Sequence, residues 1–211
     1  MKRSAIAILC TAAALFSGCS SMEYAVKEKF GIHKRDILVA RVEDARESQD
    51  DAKEQFIELT GAKGGELKDR FDKLSAAYER SEKRAEAVRD HIAEIETVGV
   101  ALFREWEDEL GQYSDASLRR ISERQLRDTQ SRYADLIRVM KRSAARMDPV
   151  LVRFKDQVLF LKHNLNAQVI AQLGTTASTL QVDVSGLIAE IEASIREADE
   201  FIDAMKTPNG G

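Results

Sequence analysis

The side chains that most often do chemistry in proteins are sparse and dispersed along this sequence. Its three histidines, His33, His91 and His163, lie far apart, and none belongs to a His-Glu-x-x-His or Glu-x-x-His pattern that binds zinc or a di-iron centre. The sequence also lacks a Gly-x-Ser-x-Gly nucleophile motif, a Walker loop and a dinucleotide-binding fingerprint. We therefore predict a protein that is not an enzyme and that needs no metal and no cofactor.

Cys19 is the residue for which the sequence most clearly predicts a chemical modification, because the residues before it have the layout of a signal peptide. A basic pair at 2–3, an apolar run at 5–16 and two small residues at 17–18 precede the thiol. This order is typical of a bacterial lipobox, in which the cysteine is acylated, although Phe16 stands where leucine is usual. The alternative is an ordinary cleaved signal peptide with an incidental cysteine.

Lipidation at this cysteine would decide where the protein resides. Residues 1–18 would be removed as the signal peptide, Cys10 would leave with them, and residues 19–35 would form a lipidated tether. Acyl chains on the new N-terminus would hold the protein on a membrane. Ser20, rather than aspartate, follows the cysteine, and by resemblance to the sorting rule of Gram-negative lipoproteins this predicts the outer membrane, with the protein facing the periplasm.

The rest of the chain has the composition of long helices. Of its 211 residues, 44% are hydrophobic, 32% charged and only 6% aromatic, and two are proline. Few prolines and few aromatics disfavour a β-sandwich, which needs frequent turns. The net charge of −4 gives no reason to predict nucleic-acid binding.

Hydrophobic spacing predicts the elements. In most of the chain, apolar and small residues recur at alternating steps of four and three, which favours helices packed through a left-handed seam. The fold class predicted is all-α, an elongated antiparallel bundle or coiled coil of about four helices over residues 36–206, with a disordered tail at 207–211. The predicted helices are 36–60, about 66–110, a third capped by Ser114 or Asp115 and kinked at Pro149 that ends near Leu173, and a fourth from Leu180 after a loop at 174–179.

Polar seam residues are interpreted as core residues that set the helix register, namely Gln49, Ser81 and Gln125. Trp106, the only tryptophan, is interpreted as a seam residue near the bundle end, with a binding hot spot as the alternative.

A basic stripe lies on the third helix. Residues 118–146 hold nine basic and three acidic side chains. Such a stripe in a lipid-anchored protein could bind anionic headgroups. The alternative is neutralisation inside the bundle, because residues 36–60 and 183–206 each carry a net charge of −5. The candidate lipid-binding residues are Arg120, Arg124, Arg127, Arg138 and Arg142.

The most unusual segment is Asp156–Gln168, where asparagine, histidine and glutamine interrupt the apolar pattern. These side chains are costly in a core without partners. One interpretation is a contact site for a partner near the bundle end, and the other is a buried hydrogen-bond network that fixes register. The candidate contact residues are Asp156, Gln157, Lys162, His163, Asn164 and Asn166.

The leader, the segments at 33–39 and 102–106, and above all the Asp-Gln-Val-Leu-Phe-Leu-Lys-His-Asn-Leu-Asn-Ala sequence at 156–167 resemble a family of helical Gram-negative lipoproteins catalogued as a domain of unknown function. The resemblance covers nearly all of the chain after the leader. It implies an all-helical periplasmic protein. No catalytic or binding residue of this chain can be inferred from the resemblance.

Two functions are consistent with these patterns. The first is a non-enzymatic outer-membrane lipoprotein that serves as a periplasmic scaffold or adaptor for an unidentified periplasmic or outer-membrane protein. The second is a lipid- or curvature-binding helical module, similar to a BAR dimer, that uses the basic stripe. The heptads permit a homodimer and do not require one.

Overall fold

In a computed structural model of the chain, the described residues are 34–61, 67–163 and 169–207, and they form four helices. Within these ranges no strand occurs, so the predicted all-α class is confirmed. The helices are α1 Lys34–Gly61, α2 Leu67–Leu110, α3 Ala116–His163 and α4 Val169–Lys206. At 1.5 Å per residue the 48 residues of α3 extend about 72 Å, which makes the bundle elongated.

The helices run up, down, up and down. Arg84 in α2 pairs with Asp51 in α1 at 2.9 Å, whereas Lys34 at the start of α1 pairs with Glu105 near the end of α2 at 2.8 Å, so these helices are antiparallel. Corresponding ion pairs join α3 to α4 and α4 to α1. Each helix packs extensively against two neighbours, and α1 and α3 lie diagonally opposite.

The heptad seams form the core. In α1, the fully buried residues Leu38, Val42, Ala45, Ala52 and Phe56 follow the predicted steps. Small residues bring the helices close together, because the seam also buries alanine and serine side chains: Ser81, Ala85, Ser143, Ser194 and Ala198.

Gln49 and Ser81 are completely buried, as predicted, whereas Gln125 is only half-buried. Gln49 Nε2 donates to Ser143 Oγ at 2.9 Å, and this bond crosses the core between the diagonal helices α1 and α3. A polar bond in such a position fixes the axial register of the two helices.

The loop predicted at 174–179 is wrong. Residues 174–179 are helical and belong to α4, which begins at Val169. The third helix, α3, ends at His163 rather than near Leu173. One glycine at 174 costs a helix only about 1 kcal/mol relative to alanine, so without a proline it is a weak stop signal.

Pro149 lies inside α3, and the helix is continuous from Ala116 to His163. The prediction that the chain does not reverse at this proline is therefore confirmed, while the kink stays a prediction.

Candidate functional site

The basic stripe lies on the outward face of α3. All five of its arginines are exposed, at positions that repeat with the helical period and lie opposite the buried Ser122, Leu126 and Leu136. They are Arg120, Arg124, Arg127, Arg138 and Arg142.

The C-terminal part of the stripe is neutralised by neighbours. Arg138 pairs with Asp135 on its own helix at 2.7 Å, and Arg142 pairs with Glu190 on α4 at 3.3 Å. Lys141 beside them pairs with Glu96 on α2 at 2.6 Å. These contacts agree with internal neutralisation for residues 138–142.

The prediction that acidic residues of 36–60 help to neutralise the stripe is wrong, because α1 lies diagonally across the core from α3. The acids of α1 pair elsewhere, as Asp51 does with Arg84 of α2 and Glu43 with Lys206 of α4. A sequence does not reveal which of three other helices will be the diagonal one.

The N-terminal part of the stripe is not paired with carboxylates of the described residues in the way that residues 138–142 are. Within the described part of the chain, Arg120, Arg124 and Arg127 make no ion pair and no hydrogen bond through their side chains. Their neighbour Arg119 pairs with Glu123 on the same helix at 2.9 Å. Three adjacent guanidinium groups are therefore available to an external anion.

Among the described helices, only α2 and α3 extend to the level of these three arginines. Lys34, the first residue of α1, is level with Glu105, and α2 continues beyond it to Leu110. The Tyr133 and Phe201 rings are 6.5 Å apart, so the end of α4 at Lys206 is level with about residue 128 of α3. Residues 106–127, which we call the hairpin tip, thus project past α1 and α4, by about 18 Å along α3.

Two local interactions hold the hairpin tip together. Of the two predicted caps of α3, Ser114 and Asp115, the structure identifies Asp115. Its carboxylate accepts hydrogen bonds from the amide of Ser117 at 2.7 Å and of Leu118 at 3.3 Å, and from the Ser117 hydroxyl. These bonds lower the pKa of Asp115. Trp106 packs against the core, and its Nε1 donates to Ser122 Oγ at 2.7 Å. This geometry agrees with a seam residue that joins α2 to α3.

The hairpin tip also exposes apolar side chains. Leu118 is 52% exposed, Ile121 44% and Tyr113 42%. Leu118 and Ile121 have the heptad spacing of seam residues of α3, yet they are exposed rather than part of the core. Among the described helices, α1 and α4 pack around this seam farther along α3 and do not extend to Leu118 and Ile121.

The polar segment lies at the opposite end of the bundle. Asp156, Lys162 and His163 are exposed, whereas Asn164 and Asn166 lie outside the described residues. Gln157 is half-buried, and its Nε2 has no hydrogen-bond partner among the described residues. The exposed members favour a contact site, and the unpartnered amide nitrogen of Gln157 does not support a buried hydrogen-bond network.

Among the described residues, no group of three or more His, Cys, Asp or Glu side chains could hold a metal ion. The nearest approach to paired acid–base chemistry is His91 Nδ1, which lies 3.7 Å from Glu94 Oε2 on the same helix. Cys19 lies outside the described residues. The described helices include none with an apolar stretch long enough to cross a membrane.

A family model with the description "Protein of unknown function (DUF2959)" matches residues 23–205, which is most of the chain and includes all but the last residue of the four described helices. No curated protein and no solved structure matches the chain.

Proposed function

We propose that this chain, which belongs to the family of proteins of unknown function DUF2959, is a non-enzymatic outer-membrane lipoprotein that serves as a periplasmic scaffold or adaptor for protein partners. The observation that carries the proposal is the elongated body, in which four antiparallel helices pack around a continuous core. A rod of this kind can hold two binding partners a fixed distance apart.

The position of Lys34 supports attachment at one end of the rod. Lys34 lies at the end of the bundle where α2 and α3 form the hairpin tip, and the chain before it leads back to Cys19. An acyl anchor on that cysteine would project the rod from the membrane into the periplasm.

The exposed polar side chains at the other end support a protein contact. Asp156, Lys162 and His163 lie near the end of α3, roughly 60 Å along that helix from its start. Exposed charges at a helix end give a partner specificity more than affinity. An adaptor would thus bind the membrane at one end and its partner at the other.

The anchor is tested in the native host. We expect the N-terminal peptide to begin at an acylated Cys19, and we expect the Cys19→Ala variant to be lost from the outer-membrane fraction. An unmodified cysteine in the mature protein would contradict the lipoprotein half of the proposal.

The adaptor half is tested in the same cells by photo-crosslinking. A photoreactive residue in place of Lys162 should give a discrete protein adduct, and one in place of Ser131, which is also exposed on α3, should not. Equal crosslinking from both positions, or none from position 162, would contradict a partner site at this end.

A second candidate function is the lipid- or curvature-binding module, which would work as a BAR-like dimer. The absence of ion pairs for Arg120, Arg124 and Arg127 among the described residues favours it. The ion pairs of Arg138 and Arg142 count against a stripe that acts along its whole length. A protein that stays monomeric in sedimentation equilibrium at high concentration would contradict the dimeric module.

A further inference from the structure

We propose that the hairpin tip is a membrane-contact element, which rests on the headgroups of the membrane that holds the anchor and keeps the rod upright. Arg120, Arg124 and Arg127 would bind lipid phosphates, and Leu118 and Ile121 would enter the interfacial region. The orientation of the rod in this inference rests on the proposed anchor at Cys19, whereas the lipid contact itself does not.

The first argument is position. The chain reaches the bundle at Lys34, and the hairpin tip is the part of the described body that extends past this residue. The fourteen residues 20–33 can span at most about 50 Å when extended and about 21 Å as a helix. An anchor at Cys19 therefore brings this end of the rod, and the hairpin tip first, towards the lipid surface.

The second argument is charge. Arg120, Arg124 and Arg127 are spaced by four and three residues, so their side chains share the outward face of α3. Planar guanidinium groups match the geometry of phosphate oxygens. Within the described ranges, no carboxylate pairs with any of the three.

Most nearby carboxylates are already used within the protein. Asp115 caps α3, Glu123 pairs with Arg119, Glu105 pairs with Lys34, and Glu107 accepts a hydrogen bond from Gln130 at 3.0 Å. Asp108 and Glu109 at the end of α2, and Asp128 next to Arg127 on α3, are exposed and make no ion pair among the described residues. The guanidinium groups of the contact lie on the outward face of α3.

The third argument is the uncovered seam. Leu118 and Ile121 continue the apolar pattern of α3 beyond the point where α1 and α4 end, and Tyr113 in the turn is also exposed. Apolar side chains next to basic ones are typical of segments that lie in a membrane interface, where tyrosine is also enriched.

Trp106 allows a direct test, because it is the only tryptophan and belongs to the hairpin tip. The polypeptide of residues 20–211 retains every described residue and lacks the acyl chains. We expect it to co-sediment with vesicles of phosphatidylethanolamine and phosphatidylglycerol at low salt, and much less at high salt or with phosphatidylcholine alone. Brominated acyl chains in the bound vesicles should quench Trp106 fluorescence.

Two variants with the same loss of charge locate the contact. Arg120→Gln, Arg124→Gln and Arg127→Gln together should weaken vesicle binding by at least about tenfold. The matched control, with Arg138→Gln, Arg142→Gln and Arg146→Gln on the same helix, should weaken it by about twofold or less. Leu118→Ser with Ile121→Ser should leave residual binding that high salt abolishes and should remove the quenching. Circular dichroism checks that each variant keeps its helices.

Several outcomes would overturn the inference. They are no binding to anionic vesicles at low salt, equal losses in the two arginine variants, and binding that leaves Trp106 unquenched. A concentration-dependent dimer that Leu118→Ser dissociates would assign the tip to a second copy of the chain instead. An unmodified Cys19 in cells would remove the proposed anchor and leave the vesicle result standing, so the two failures are distinguishable.

Discussion

The hairpin tip continues α2 and α3 of the four-helix body with the same heptad pattern, yet the seam that is buried in the body is exposed in the tip. In the body, Leu136 and Met140 of α3 are completely buried, whereas Leu118 in the tip is about half exposed. The difference lies in the number of described helices that pack together, four in the body and two in the tip. A heptad pattern therefore specifies an apolar seam, while the lengths of the other helices decide whether that seam becomes core.

Charges divide along the same boundary. In the body, ion pairs join different helices, such as Arg89 with Asp148 at 2.9 Å and Arg142 with Glu190 at 3.3 Å. In the tip, by contrast, the ion pair of Arg119 with Glu123 lies within one helix. Exposed ion pairs contribute little to stability, roughly 0–1 kcal/mol each. The difference in ion pairing between body and tip therefore affects which basic side chains can bind a ligand more than it affects the fold.

The largest expected effect tests the boundary with one kind of substitution at two positions of α3. Leu136→Ala removes a fully buried side chain from the body and should reduce the free energy of unfolding by about 2–5 kcal/mol. Leu118→Ala in the tip should change it by less than about 0.5 kcal/mol. Urea denaturation followed by circular dichroism measures both. Similar losses at the two positions would mean that the seam of the tip is covered in solution.

The next effect concerns Gly99, which lies in the body about two turns of α2 before the hairpin tip. A Cβ at this position would lie 2.5 Å from the ring of Tyr133, which itself packs edge-on against Phe103 at 5.1 Å between ring centroids. Gly99→Ala should therefore destabilise the protein by about 1–3 kcal/mol through overpacking.

The matched control is Gly186→Ala in α4, because a Cβ there meets no atom within 4 Å. This substitution should stabilise the helix by about 0.5–1 kcal/mol. If thermal unfolding moved in the same direction for both variants, the close approach of Tyr133 to Gly99 would not be the cause.

A smaller effect tests the polar layer inside the body. Ser143→Ala leaves the buried amide of Gln49 without its acceptor and should cost about 1–2 kcal/mol. In the Gln49→Leu background, the same serine substitution should cost much less, because no amide remains to be satisfied. A double-mutant cycle in urea measures the coupling, and additive losses would show that the bond is not what stabilises this layer.

The body was largely predictable from sequence, because its heptads are long and uninterrupted. Alternating steps from Leu38 to Phe56 predict a buried stripe, and the buried Gln49 follows from its place in that stripe. The cap at Asp115 was predictable for a similar reason, since aspartate before a run of helix-forming residues has few other local uses.

The hairpin tip was not predictable, because its character depends on where other helices end. Leu118 has the spacing of a core residue. It is exposed because, among the described helices, α1 and α4 do not extend to its level. The loop expected at 174–179 failed for a related reason, since helix packing outweighs the weak local preference of one glycine. Which helix lies diagonally across from α3 is likewise a matter of packing.

The remaining expected effects depend on pH. The effect in the tip occurs in acid, and the effect in the body occurs in alkali. In the tip, hydrogen bonds from Ser117 and Leu118 lower the pKa of Asp115 below its ordinary value of 3.8. Its capping contribution is therefore present above that value and is lost as the pH falls through the lowered pKa. We expect acid to shift the NMR signals of the Ser117 and Leu118 amides while the helical circular dichroism of the body stays nearly constant. Asp115→Ala should show the frayed signals already at neutral pH.

In the body, burial raises the pKa of Tyr133 from 10.0 to about 12, and the nearby carboxylate of Glu96 adds to the shift. The native state then holds its proton at a pH where the unfolded chain has lost it. Stability is therefore full below pH 10 and declines as the pH rises through about 12. Tyr133→Phe should flatten this decline in urea midpoints measured across that window, whereas Tyr113→Phe in the exposed turn of the tip should leave it unchanged. An equal flattening by both variants would mean that the body and the tip share one alkaline transition, which would contradict their independence.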